Sequence, residues 1–469
     1  MMKKKEELIL FLILIMMMLP VFLIISKTNI YFDLTDNREY SISEFTEDVL
    51  SEYEQPLYIT WWKSEEFKSP QLEIISSLFA KLPVISTIRN PGDDEKDRLR
   101  ELGFPEEQIE YERAGELTQA LVFSGLEIRY LNKTVIVPFL VDPLSLEYQI
   151  VEALIRLEEG GKKTIAIFSD NSNYTIMISE LTKNFNVLSV SNENPLKSIP
   201  DFLIVPDVMD FSNENLFAID RSIQSGSPVI FLCDGLDINP QLSDYALPFE
   251  SPSIIHQWLE GYGITVEESL ISDRNSLSLA FVSENSQRFS NYDFWFKGSD
   301  RFDALWSSPI STRSIEGLEK KVLLKSSELS WLKETDVDLR PQFEEEADDF
   351  TGPYPIAVEV KGEFQPLFQY SEDSYKTDGT ILVFGSSLSF SDVVQSSGSL
   401  GNLVYIRNEI YRLLGYDNLY NIALLSDREN KMDASGQIQP FVINLVMYPM
   451  LIISLYIILL SKRKKSRSV

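Results

Sequence analysis

Two long uncharged apolar runs, one near each end, constrain this 469-residue chain more than any other feature. Residues 8–25 read LILFLILIMMMLPVFLII and follow Lys3, Lys4 and Lys5. Residues 441–460 read FVINLVMYPMLIISLYIILL and precede Lys462, Arg463, Lys464, Lys465 and Arg467. A helix of such a length, at ~1.5 Å per residue, approaches the ~30 Å of a bilayer's hydrocarbon core. The first run lacks the small-residue cleavage pattern of a secretory signal, so it reads as an uncleaved anchor. Basic residues on the terminal side of both runs predict two membrane helices with both termini cytoplasmic. The predicted place is a bacterial inner membrane, with the body extracytoplasmic, or periplasmic, and membrane lipid as a partner of the basic ends.

The expected order along the chain follows. A cytoplasmic basic N-terminus (1–7) leads into a membrane helix (8–26). A first α/β domain (27–145) and a second (146–425) come next, then a linker (426–440), a second membrane helix (441–460) and a basic tail (461–469).

Charge and rare residues exclude whole classes of function. The net charge is -29; residues 1–26 carry +1 and 441–469 carry +5, which leaves -35 for the body. A nucleic-acid partner needs a basic face and is not expected. Cys233 and His256 are the only cysteine and histidine. No intrachain disulfide and no Cys/His zinc site can be built from them, and any Ser-His-Asp system has to use His256. That residue lies in SIIHQWLEGYGI, where Ile255, Trp258 and Leu259 predict an amphipathic helix, so its ring reads as a packing or surface group. Cys233 has Asp234 beside it, which disfavours a thiolate, and reads as a packed strand thiol. No G-x-x-x-x-G-K-[ST] occurs, so this chain is not an ATPase of the P-loop kind. We expect no cofactor, no metal and no catalytic residue.

In the first domain, Ser41 and Glu44 have capping-box spacing, with Phe45, Val49 and Tyr53 as the buried stripe of the helix that follows. LYITWW reads as a strand, QLEIISSLFAKL as an amphipathic helix, and ALVFSGLEIRY with TVIVPFL as a hairpin. In the second domain, SLEYQIVEALIRLEEGGKK reads as a helix stopped by Gly160. TIAIFSD, FNVLSV, DFLIVPD, SPVIFLCDG and ILVFGSS are short, continuously apolar and β-rich. Strands buried on both faces have this composition, so a flavodoxin-like or Rossmann-like, mainly parallel sheet is predicted. The stretch 276–375 reads as an irregular insertion, and FEEEADDF within it as a solvated loop.

Three of those strands end on an acid: Asp170, Asp207 and Asp234. Open α/β sheets bind ligands beyond the carboxyl ends of their strands, so the three are candidate ligand-binding residues of one cleft. The other reading has each aspartate capping the helix after its strand.

The pieces also occur in a recognisable order. YFDLTDNREYSISEFTEDVLSEYEQPLYITWW contains Asp33, Leu34, Thr35, Tyr40, Ile42, Ser43 and Thr46 in a D-L-T…Y-x-[LI]-S…T pattern. FSGLEIRYLNKTVIVPF, LEYQIVEALIRL, WLEGYGITVEESLISDRNS, VLLKSSELSW and ILVFGSSLSFSD follow, then GSLGNLVYIRNEIYRLLG. This series resembles the gliding-motility-type ABC transporter auxiliary proteins, the GldG-like family, over nearly the whole chain. Where many relatives carry a G-H-G-E-like turn, this chain has Ser169, Asp170, Asn171 and Ser172. The resemblance implies a non-enzymatic accessory subunit of an ABC-2-type transporter, with the multi-span ABC permease and the ABC ATPase as separate partner chains. Asp33, Thr35, Tyr40 and Ser43 then form a neck that holds the first domain close to the bilayer. A tethered binding protein for a saccharide or lipid, and a degenerate hydrolase, are the alternatives.

Overall fold

The computed structural model describes residues 41–113, 116–169, 172–206, 211–239, 243–249, 253–283, 286–334, 337–340, 350–368, 378–399 and 401–426. These fall in two compact units, one drawn from 41–130, 136–148 and 424–426, the other from 131–135 and 149–423.

In the first unit, helix α1 (Glu44–Ser51) is capped by Ser43, whose hydroxyl accepts from the Thr46 N–H at 3.3 Å. The sequence frame placed the cap at Ser41 and the stripe at Phe45, Val49 and Tyr53. Instead Thr46 and Leu50 are the buried pair. Glu147 decides the frame, because its carboxylate accepts both the Ser43 N–H (2.8 Å) and the Ser43 hydroxyl (2.6 Å). Strand β1 (Tyr58–Lys63) lies parallel to β2 (Ile85–Arg89) and antiparallel to β3 (Ser124–Tyr130). With β4 (Lys133–Val137) they form a sheet of order β2-β1-β3-β4. The crossover from β1 to β2 is helix α2 (Pro70–Phe79), which starts with Ser69 as cap and Pro70 in its first turn. Proline is tolerated there because the first-turn N–H has no partner within the helix. Helix α2 buries Leu72, Ile75, Leu78 and Phe79. Trp61 and Trp62 are buried, and Trp62 donates to the Glu127 carboxylate at 2.8 Å. Arg98, on helix α3 (Asp93–Glu101), closes on the same carboxylate and balances its buried charge.

The second unit is built on a seven-stranded sheet. Five parallel strands are β5 (Thr164–Phe168), β6 (Asn186–Val190), β7 (Phe202–Pro206), β8 (Val229–Leu232) and, later in the chain, Gly379–Phe384. Between the last two come β9 (Leu318–Lys325) and β10 (Pro355–Gly362), so Gly379–Phe384 is β11. The order is β9-β10-β11-β8-β7-β5-β6, with β9 and β10 antiparallel additions at one edge. The parallel part has the doubly wound order, and its winding reverses between β5 and β7. Every residue of β7 and β8 is buried, the physical basis of their unbroken apolar runs. Helices α4 (Leu146–Glu159), α5 (Thr175–Asn184), α6 (Asn213–Gln224), α7 (Ile254–Gly261) and α8 (Gly401–Leu413) complete this layered unit. Gly160 ends α4 at φ +78°, a conformation that residues with a Cβ rarely adopt. Cys233 is fully buried, and its N–H donates to the Phe384 carbonyl at 2.9 Å.

The stretch read as an irregular insertion supplies β9 and β10 as well as a long hairpin, Ser276–Ser283 with Ser286–Lys297. The acidic run 343–349 lies outside the described residues.

One expectation about the architecture is corrected. Among the described residues no helix is long and apolar enough to cross a membrane. The longest of them, α4, has 14 residues and carries Glu147, Glu152 and Arg156. It spans roughly 21 Å, against the ~30 Å that a bilayer requires. The architecture is therefore a mixed α/β body, and the flanking membrane helices are withdrawn from it. The two-pass inner-membrane placement with both termini cytoplasmic is withdrawn on the same finding. The apolar runs 8–25 and 441–460 lie outside the described residues.

Candidate functional site

The carboxyl ends of β8 and β11 lie side by side, with Leu232 in register with Phe384. The residues that leave these two ends therefore meet. Asp234 follows β8, and Ser387 stands in GSSLSFSD after β11. The Ser387 N–H donates to one Asp234 oxygen at 2.7 Å, and the Ser387 hydroxyl donates to the other. Tyr174, buried just before α5, sets its phenol beside Ser387 and Asp234. Asp234 is 7% exposed. Burial pushes its carboxyl up to about 6, against the two bonds from Ser387, and Asp237 pushes in the same direction. Burial and the Asp234 charge push the Tyr174 phenol up too.

Around this trio the serine-rich loop is fixed to the segment 303–308. The Ser386 hydroxyl donates to the Leu305 carbonyl at 2.7 Å, and the Leu305 N–H donates to the Ser389 hydroxyl at 3.0 Å. Asn402 donates to the carbonyls of Ser389 (2.6 Å) and Asp303 (2.8 Å). The space beyond these strand ends is thus filled by protein. Gly235 shows how tightly. A Cβ there would stand 2.0 Å from the Glu267 carbonyl oxygen and 2.5 Å from the Ser308 hydroxyl. We expect Gly235→Ala to lower unfolding stability by about 2–3 kcal/mol, the upper part of the range for overpacked interiors. Chemical denaturation checks this, and an unchanged midpoint contradicts it.

Asp234 does not cap a helix after its own strand. It accepts from the loop of the neighbouring strand, 153 residues away. The cap of α5 comes from that loop too, since Asp392 accepts the N–H groups of Thr175 (3.1 Å) and Ile176 (2.8 Å). Ser387, Tyr174 and Asp392 were not singled out from sequence. The clue available was the density of serines directly after a buried strand. Asp170 and Asp207 lie outside the described residues, as do Asp33, Thr35 and Tyr40. Of the four neck residues Ser43 is described, as the cap of α1 held by Glu147. His256 stands on α7 with Ile255, Trp258 and Leu259 buried, and its ring meets Phe249 edge-on at 5.9 Å. Among the described residues no three His, Cys, Asp or Glu side chains converge as a metal site.

Chemically, the strand-end trio is a closed hydrogen-bonded latch. Ser387 is fully buried and donates its proton to a carboxylate, so its hydroxyl has no access to a substrate.

Comparison with known proteins agrees with the motif order. An uncharacterized protein of Borreliella burgdorferi is 22% identical over 498 residues, covering 95% of this chain and 96% of its own. No solved structure matches the chain. The family model ABC_transp_aux, described as an ABC-type uncharacterized transport system, matches residues 157–410. That span starts in α4, ends in α8, and takes in the whole seven-stranded sheet with the Asp234 latch. With more than half of its length matched, the chain belongs to this ABC transporter auxiliary family.

Proposed function

We propose that the chain is a non-enzymatic accessory subunit of an ABC transport system, which docks on the system's permease and through it meets the ATPase. The observation that carries this reading is the family match over 157–410. The sequence supports it, because it has no phosphate-binding G-x-x-x-x-G-K-[ST] and must rely on another chain for ATP hydrolysis. The latch supports it too, since its carboxylate and hydroxyl satisfy each other inside the fold and work as structure. Affinity purification of the tagged full chain from its native cells tests the proposal. A permease and an ABC ATPase should be recovered in fixed ratio with it. Recovery of neither, from cells that express both, sinks the reading.

A further inference from the structure

Apart from the latch, the second unit carries a groove of two adjacent lobes that share lining residues. One lobe, about 300 Å³, is lined by Phe249, His256, Glu260, Glu267 and Glu268 with Gly235 at one wall. The other, about 620 Å³, shares Glu267 and Glu268 and continues past Ile310, Leu332, Glu334 and Tyr354. Both volumes lie in the range of ligand pockets. The second lobe is the more apolar of the two, with Leu332 and Pro355 over the buried Pro309 and Ile310, whereas polar groups predominate in the first.

The polar lining has one sign. Four glutamates face the groove, and among the described residues no lysine or arginine lines it. Glu267, Glu268 and Glu334 form no ion pair with a described residue. Arg313 donates to the Glu260 carbonyl oxygen (2.7 Å) rather than to a carboxylate of the groove. Phe249 and His256 meet at 68° and form an aromatic corner in the first lobe. Burial holds the His256 ring below its ordinary pKa, so it adds a neutral aromatic face near pH 7. Aromatic faces beside carboxylates suit a guanidinium or ammonium group, through ring quadrupoles and charge-assisted hydrogen bonds together. The more apolar second lobe, which shares Glu267 and Glu268 with the first, suits apolar neighbours of the cation.

We propose that the groove docks an extended segment of a partner protein, with an arginine or lysine in the Phe249–His256 corner and apolar side chains along Leu332, Tyr354 and Pro355. The choice of a protein segment as occupant rests on the reading of the chain as an accessory subunit. The charge and shape of the groove do not.

Binding of fluorescent peptides to the full chain tests this. The probes are Leu-Ile-Arg-Leu-Ile amide, the same peptide with neutral citrulline for arginine, and free arginine amide as competitor. The arginine peptide should bind at least 10-fold tighter than the citrulline peptide. The double variant Glu267→Gln/Glu268→Gln should erase that advantage with an unchanged melting temperature, and Phe249→Ala should weaken binding several-fold. Equal affinity for the two peptides overturns the proposal, as does an advantage that survives the double variant or no peptide binding at millimolar concentration. Arginine amide competing as tightly as the peptide also overturns it, and assigns the groove to small organic cations. Peptide binding as expected without recovery of a permease strikes the accessory-subunit reading alone. Recovery of a permease unchanged by the double variant, with no peptide binding, strikes the groove alone.

Discussion

Replacing Arg412 by alanine will destabilise the second unit by about 3–5 kcal/mol at neutral pH, the range for a buried ion pair that loses one partner. Arg412 lies near the end of α8 and donates to the Glu409 carboxylate at 2.7 and 2.9 Å, and also to Glu359 on β10. The Glu409 side chain is 5% exposed and that of Glu359 is 13% exposed. One guanidinium therefore compensates two carboxylates on the face where α8 covers the sheet. Burial already raises the Glu409 pKa, with Arg412 acting against it and Glu359 adding to it. Without Arg412 both of those opposing effects turn one way. Glu409 will take up a proton more readily, so the deficit should shrink as pH falls from 7 toward 4. Converting Glu359 and Glu409 to Gln in the same chain should recover most of the loss, because the cost comes from charges left without a partner. Denaturant unfolding of the single and triple variants at both pH values measures this. A deficit below about 1 kcal/mol, or one that does not change with pH, contradicts the account.

The sheet was legible in the sequence because its physics is local. Apart from Thr164 at the start of the first, TIAIF, FLIVP and VIFL are apolar at every position, as strands covered on both faces must be. Helix α4 was legible from its apolar spacing and its stop at Gly160. The additions at the sheet edge were not. Strand β9 reads LEKKVLLK, mostly partly exposed or exposed and interrupted by register shifts against β10. Charged edge strands of this kind resist pairing with other chains, and for the same reason they do not look like strands. The cap of α1 shows another limit. Ser41 and Ser43 stand in the same SIS triplet, and Glu147, about a hundred residues on, selects the second.

The same contrast holds at the candidate site. Asp234 stood out because open α/β sheets bind ligands beyond the carboxyl ends of their strands. Its environment was not readable, because Ser387 reaches it only through the pairing of β8 with β11. Asp392 caps a helix 217 positions earlier in the chain. Local spacing carries no record of such partners, and the loops holding Asp170 and Asp207 lie outside the described residues.

Asp234 makes the second large prediction, and its sign separates two physical accounts. A buried aspartate that gains more from hydrogen bonds than it loses by desolvation has a lowered pKa, and it stabilises the fold once ionised. Here burial prevails over the Ser387 bonds, and the folded-state value stands at about 6 against 3.8 for the free side chain. The native state then binds the proton more tightly than the unfolded chain. Stability from this group is complete below about pH 4, is lost as pH rises toward 6, and stays lost above that. A shift of about two units corresponds to about 3 kcal/mol. Asparagine imitates the protonated form: its oxygen accepts the Ser387 N–H, and its amide donates to the Ser387 hydroxyl. Asp234→Asn should therefore be more stable than the parent by about 2–3 kcal/mol at pH 7, with no difference near pH 4. Unfolding midpoints of the two proteins across that range decide the matter, because every other titrating group cancels in the difference. If the variant is the less stable at pH 7, the ionised carboxylate is a net asset to the latch, and the desolvation account of Asp234 is wrong.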